Sequence, residues 1–145
     1  MRDRRGVEGI PLRLLVTAAV LALTLPPVAQ GLLAHDQNRT EDRLRGEIVR
    51  VLTLAERLAL AGGGRAHLTA DFRGGAFTAV DTIVLRTVAG TGIGEFTLVG
   101  LPPRMVTAEG TPGLLFPGPQ FLLGPGIHEL TLEYDRVAGQ VRVAG

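Results

Sequence analysis

Residues 4–34 read RRGVEGIPLRLLVTAAVLALTLPPVAQGLLA, and the identity of this stretch decides how the remaining chain must be organised. No charged side chain occurs from Leu14 to Ala34, and the run follows Arg2, Arg4, Arg5 and Arg13, offset only by Asp3 and Glu8. Crossing a bilayer takes roughly 20 predominantly apolar residues, so the run is long enough. The arginine excess in front of it predicts a cytoplasmic N-terminus and an extracellular C-terminal domain. The division that follows is a leader and membrane-spanning or assembly helix over 1–35, an amphipathic helix over 36–64 and an exported β-domain over 65–145.

Pro26 and Pro27 interrupt the run. Neither has a backbone N–H, so a helix through them loses two ladder bonds and is expected to kink or stop there. A membrane helix tolerates such a break when polar side chains bond the freed carbonyls, and Thr17 and Thr24 are placed for that. A secretory signal uses the break differently. The basic start, the apolar stretch 14–25 and the small residues Ala29 and Gly31 make AQG a signal-peptidase site, leaving a soluble chain from Leu32.

A third reading comes from the first residues. Arg4-Arg5-Gly6, then Val7-Glu8-Gly9-Ile10-Pro11-Leu12-Arg13-Leu14-Leu15 and a long apolar segment, resembles archaeal type IV pilin-like proteins. In that family a prepilin peptidase removes a short basic leader ending in Gly, the class III signal peptide, just before the hydrophobic segment. The resemblance implies cleavage between Gly6 and Val7. It also implies that the apolar helix stays in the mature protein and packs on like or related pilin subunits in a surface filament. The family's acidic residue at the fifth position after the cut is Pro11 here, and Glu8 is the nearby acid.

Composition narrows the function classes. With 145 residues, 46% hydrophobic and 20% charged, the chain holds one small domain and an anchor. A formal charge of +1, with one Tyr and five Phe, gives neither the field nor the stacking surface of a nucleic-acid binder. All 15 basic residues are Arg, and Lys, Ser, Cys and Trp are absent. That excludes serine and cysteine nucleophiles, Schiff-base lysines, thiolate metal sites and disulfides. The expectation is a protein that is not an enzyme and carries no cofactor, held together by core packing alone.

Beyond the apolar run, HDQNRTEDRLR over 35–45 suits water just outside a membrane. Asn38-Arg39-Thr40 is an N-x-T sequon, which makes Asn38 a glycosylation candidate. Asn38 also has a second use as a helix N-cap, with Glu41 as its capping-box partner. Leu44, Ile48, Val51, Leu52, Ala55 and Leu58 then recur at helical spacing, and Gly62-Gly63-Gly64 ends that helix.

From Arg65 the period changes to two. Ala66, Leu68, Ala70 and Phe72 alternate with polar residues as a half-buried strand. Further strands are expected over 77–88, bent at Asp81, and over 96–99, 104–108, 114–116, 121–123, 127–134 and 140–144. The last two pair across a turn near Ala138-Gly139. In 127–134, Leu130, Leu132 and Tyr134 face inward and Glu129, Thr131 and Glu133 outward. Gly/Pro punctuation and the lack of intervening helical patterns predict one antiparallel set, a small β-sandwich or meander within an α+β chain. A fragment from about Arg65 onward is expected to fold by itself.

Chemistry is sparse in this half. His35, His67 and His128 lie far apart in sequence, and His67 and His128 are expected on the solvent side of their strands. Gly90-Thr91-Gly92-Ile93-Gly94 precedes a strand rather than a helix, so it is expected to be a flexible link and not a phosphate cradle. Glu129 and Glu133 share an outer face with nothing apolar to raise a pKa. The sequence therefore points to a pilin-like structural or accessory subunit of a surface filament, with the helix as assembly element. The alternative is a single-pass anchored or secreted β-sandwich binding domain without a filament role.

Overall fold

A computed structural model describes residues 5–145, with side chains from residue 11 onward. Arg2 and Arg4 of the basic leader lie outside the described residues. Gly6 and Val7 fall in a helical backbone segment whose side chains lie outside them. The architecture is α+β: one long N-terminal helix, α1 (Arg5–Leu60), followed by eight short strands. The chain divides into two compact units, Met1–His35 and Asp36–Gly145.

Helix α1 runs through Pro11, Pro26 and Pro27 without the expected stop. Proline's fixed φ is itself a helical value, so the helix continues through both prolines at the cost of their ladder bonds. The threonine hydroxyls do not serve the carbonyls that the prolines free. Thr24 Oγ1 donates to Val20 O at 2.9 Å and Thr17 Oγ1 to Arg13 O at 2.8 Å, both in earlier turns. The helix likewise contains Asn38, which is therefore not an N-cap.

The C-terminal part of α1 is amphipathic as the spacing predicts. Leu44, Ile48, Val51, Leu52, Ala55 and Leu58 are all buried in the core of the second unit. The helix ends in a Schellman arrangement: Gly62, at φ 67°, donates to Ala59 O at 3.0 Å, and Gly63 donates to Leu58 O at 3.3 Å. Arg136 Nε then donates to Gly62 O at 2.7 Å, tying the helix end to a hairpin turn.

The strands are β1 (Arg65–Asp71), β2 (Val80–Val88), β3 (Thr91–Leu98), β4 (Arg104–Thr107), β5 (Leu114–Leu115), β6 (Phe121–Leu123), β7 (Ile127–Asp135) and β8 (Gln140–Ala144). They form two four-stranded sheets rather than one set, in the orders β1-β7-β8-β5 and β4-β3-β2-β6. All pairings are antiparallel except β5 with β8, which run parallel over Leu114↔Val141 and Leu115↔Arg142. The bend at Asp81 is a register slip between Val80 and Thr82 against β3. The β7–β8 turn closes on Asp135, whose Oδ1 accepts from Val137 N–H at 2.9 Å and Ala138 N–H at 3.1 Å. These two bonds, with Arg142 nearby, hold the Asp135 carboxyl below its ordinary pKa.

Three local expectations are corrected. The strand expected from residue 77 starts at Val80; residues 74–79 are a loop, closed by Gly75 N–H donating to Thr78 O at 2.7 Å. The flexible link expected at 90–94 is instead a turn residue, Gly90, followed by the first four residues of β3. Ala89 and Gly90, at φ 51° and 81°, make a two-residue hairpin turn, and Gly92 and Gly94 are buried within β3. His128 shares the inward parity of Leu130 and Leu132. It is half-buried, with its ring centroid 6.1 Å from that of Phe72.

A single core joins helix and sheets. Leu44, Ile48 and Leu52 pack with Phe72, Ile83, Leu85, Phe96, Leu130, Leu132, Val141 and Val143, and Tyr134 packs half-buried against them. The expectation of an independently folding β-fragment from Arg65 is revised accordingly, because the helix supplies part of that core.

Candidate functional site

The residues set apart by chemistry are those of the first unit. Leu12, Leu14, Leu15, Val16, Val20, Leu21, Leu23, Leu25, Val28, Leu32 and Leu33 are all exposed. Among the described residues, α1 is the one helix long and apolar enough to cross a membrane. Its most apolar window has a mean hydropathy of 1.9 and is 0% buried. Soluble chains rarely show water a contiguous apolar surface of more than a few hundred Å², so this segment requires lipid or protein around it. Of the two other sources of such a run, a buried core helix does not fit its exposure, whereas a secretory signal near the N-terminus does.

Immediately after the apolar run the helix turns to specific polar contacts. Asp36 accepts the backbone N–H of Ala76 through Oδ1 and that of Phe77 through Oδ2, each at 2.9 Å. Those two bonds, Phe77 first, hold the Asp36 carboxyl below its ordinary pKa. Thr40, buried, donates its hydroxyl to Asp36 O at 2.8 Å. Gly75 passes so close to Asp36 and Thr40 that a Cβ there would overlap both side chains. Arg43 reaches across to the carbonyls of Arg73 and Gly74, the latter at 3.0 Å. Arg73 in turn pairs with Asp71 at 2.6 Å, and its guanidinium and N–H hold that carboxyl far below the usual carboxylate range. The loop 74–79 is thus latched onto the helix at Asp36. Sequence reading gave Asp36 no role; its only signal was an acid at the end of an apolar run.

This arrangement bears on the sequon. Asn38 is exposed on the helix, but Thr40 is committed to the latch.

The remaining candidates do not converge. No cluster of three His, Asp or Glu side chains able to hold a metal occurs among the described residues. His67 Nδ1 lies 3.1 Å from Thr131 Oγ1 on the outer face of β1 and β7, and His128 Nε2 lies 2.9 Å from Gly124 O. Of the outward carboxylates, Glu133 pairs with Arg65 at 2.8 Å, while Glu129 lines a shallow cavity with His67, Thr69 and Thr131. Comparison with protein-family models, with curated proteins and with solved structures finds no match to this chain.

Proposed function

We propose that this chain is a pilin-like structural or accessory subunit of an archaeal type IV pilus-like surface filament. Its N-terminus is cytoplasmic, its C-terminal unit extracellular, and a prepilin peptidase cuts between Gly6 and Val7. The observation that carries the reading is the split character of α1. One part leaves every large apolar side chain among the described residues exposed, and the other is the amphipathic spine of a small β-rich unit. A filament subunit needs both: an apolar helix to hold in the membrane and then among neighbouring helices, and a folded unit to display.

Association of helices in lipid depends on close packing and polar contacts, since lipid tails are as apolar as the helix. Ala18, Ala19 and Ala22 offer a small-residue strip for this. Cross-linking in cells tests the proposal. A like or related neighbour is expected, and Ala18→Leu with Ala22→Leu should weaken the cross-link while the protein stays in the membrane fraction. A strictly monomeric protein with no such neighbour would favour the second reading, a single-pass anchor presenting a binding domain. Pro11 favours that second reading, because the acid that pilin-like proteins usually carry at the fifth position after the cut is missing there.

A further inference from the structure

We infer that the loop 74–79 is a membrane-surface contact, with Phe77 lying in the lipid head-group region beside the point where the chain leaves the bilayer. The inference rests on the membrane reading of the apolar segment and adds a second, separate lipid contact on the folded unit. Of the five phenylalanines, Phe72 and Phe96 are buried and Phe116 and Phe121 half-buried, whereas Phe77 is 66% exposed. Its neighbourhood is also apolar and open. Val99, 64% exposed, donates its N–H to Ala79 O at 3.0 Å, and Pro125 lines the same shallow depression as residues 74–80.

What identifies lipid as the occupant is the residue that holds the loop. Phe77 N–H is bonded to Asp36, and Asp36 follows the apolar run with only His35 between them. Consecutive Cα atoms are about 3.8 Å apart, so wherever the bilayer ends near Ala34, Phe77 is attached within a few residues' reach of it. The loop is preorganised for this. Gly75 N–H closes on Thr78 O, Asp36 takes two further N–H groups, and ordering the aromatic ring on contact therefore costs little entropy. Arg39, exposed on the helix three residues after Asp36, supplies a cation for lipid phosphates, while the guanidiniums of Arg43 and Arg73 are engaged in holding the loop.

The chain has no tryptophan, which makes single-Trp reporters unambiguous. Full-length Phe77→Trp, Leu23→Trp and Val137→Trp proteins, each matched to the parent by circular dichroism, are placed in phosphatidylcholine vesicles. The lipids are brominated either near the ester groups or near the methyl ends. Position 137, 99% exposed, sits in the hairpin turn bonded to the far end of the helix, about 40 Å along it from Asp36. The inference predicts that the reporter at 77 loses most of its emission to the shallow bromines and much less to the deep ones. The reporter at 23 should be quenched by the deep bromines, and the reporter at 137 by neither. Quenching at 23 without quenching at 77 overturns the inference and leaves the membrane segment standing. No quenching at 23 overturns both. A blue-shifted but unquenched reporter at 77 also overturns it, since protein rather than lipid would then cover the loop. Should Phe77→Trp disturb the fold, Val99→Trp from the same patch gives the same shallow-quenching readout.

Discussion

Gly94 lies directly under Ile48, so closely that a Cβ on Gly94 would overlap the Ile48 Cγ2 methyl. The contact fixes where helix α1 crosses β3, and it explains a glycine in the middle of a strand, where glycine otherwise weakens the sheet. Gly94→Ala is expected to cost about 1–3 kcal/mol by overpacking. Ile48→Leu removes the offending β-branched methyl at nearly constant volume, so Gly94→Ala should cost distinctly less in that background. Chemical unfolding of the four proteins of this cycle in detergent measures the coupling, and strictly additive costs would contradict the contact.

The helix should prove inseparable from the sheets. Leu44, Ile48, Val51, Leu52 and Ala55 are 0% exposed, and removing them opens the inner faces of both sheets to water. A fragment starting at Asp36 is expected to melt cooperatively with β-rich circular dichroism, and one starting at Arg65 to show no cooperative transition. Truncating a single spine residue, Ile48→Ala, should cost about 2–5 kcal/mol.

The Asp36 latch carries a pH dependence of definite sign. Its carboxyl titrates below its unfolded value of about 3.9, because the ionised form accepts the Phe77 and Ala76 N–H groups. The stability it contributes is therefore complete above that value and is lost as pH falls through the lower folded pKa. Hydrogen-exchange protection of the Ala76 and Phe77 amides should follow this course. Asp36→Asn should reduce that protection at neutral pH and flatten its acid dependence.

Ala89 is the one described non-glycine residue with positive φ, at 51°, in the two-residue turn between β2 and β3. A left-handed conformation costs an L-residue roughly 1–2 kcal/mol, and Asn tolerates it better than Ala in a turn of this kind. Ala89→Asn should stabilise the unit by up to about 1 kcal/mol, read as a higher unfolding midpoint. Ala89→Val should destabilise it.

The parts of this fold that were legible in the sequence are those with a period or a stop signal. The stripe from Leu44 to Leu58, the Gly62-Gly63-Gly64 terminator and the β7–β8 hairpin all follow from local spacing. What could not be read depends on distant partners. Gly92 and Gly94 have the composition of a linker, but they pair with Thr87 and Leu85 of β2, and the approach of Leu114 and Ile48 is what calls for glycine there. Leu114–Leu115 is too short to show a period, so its parallel pairing with β8 left no trace. Asn38 carried a capping pattern that the continuous helix overrode, and Pro26-Pro27 carried a stop that their helical φ left without effect. In the candidate site, the apolar segment was plain from composition, whereas the role of Asp36 needed the loop 74–79 to be placed beside it.

The central claim, that the apolar helix is retained as the assembly element of a pilin-like subunit, is tested most directly by the mature N-terminus of the membrane-associated protein. Intact-mass measurement with N-terminal sequencing is expected to find Val7, the product of cleavage after Gly6. A mature chain beginning at Leu32 would contradict the claim, because the helix would then have been discarded as a secretory signal.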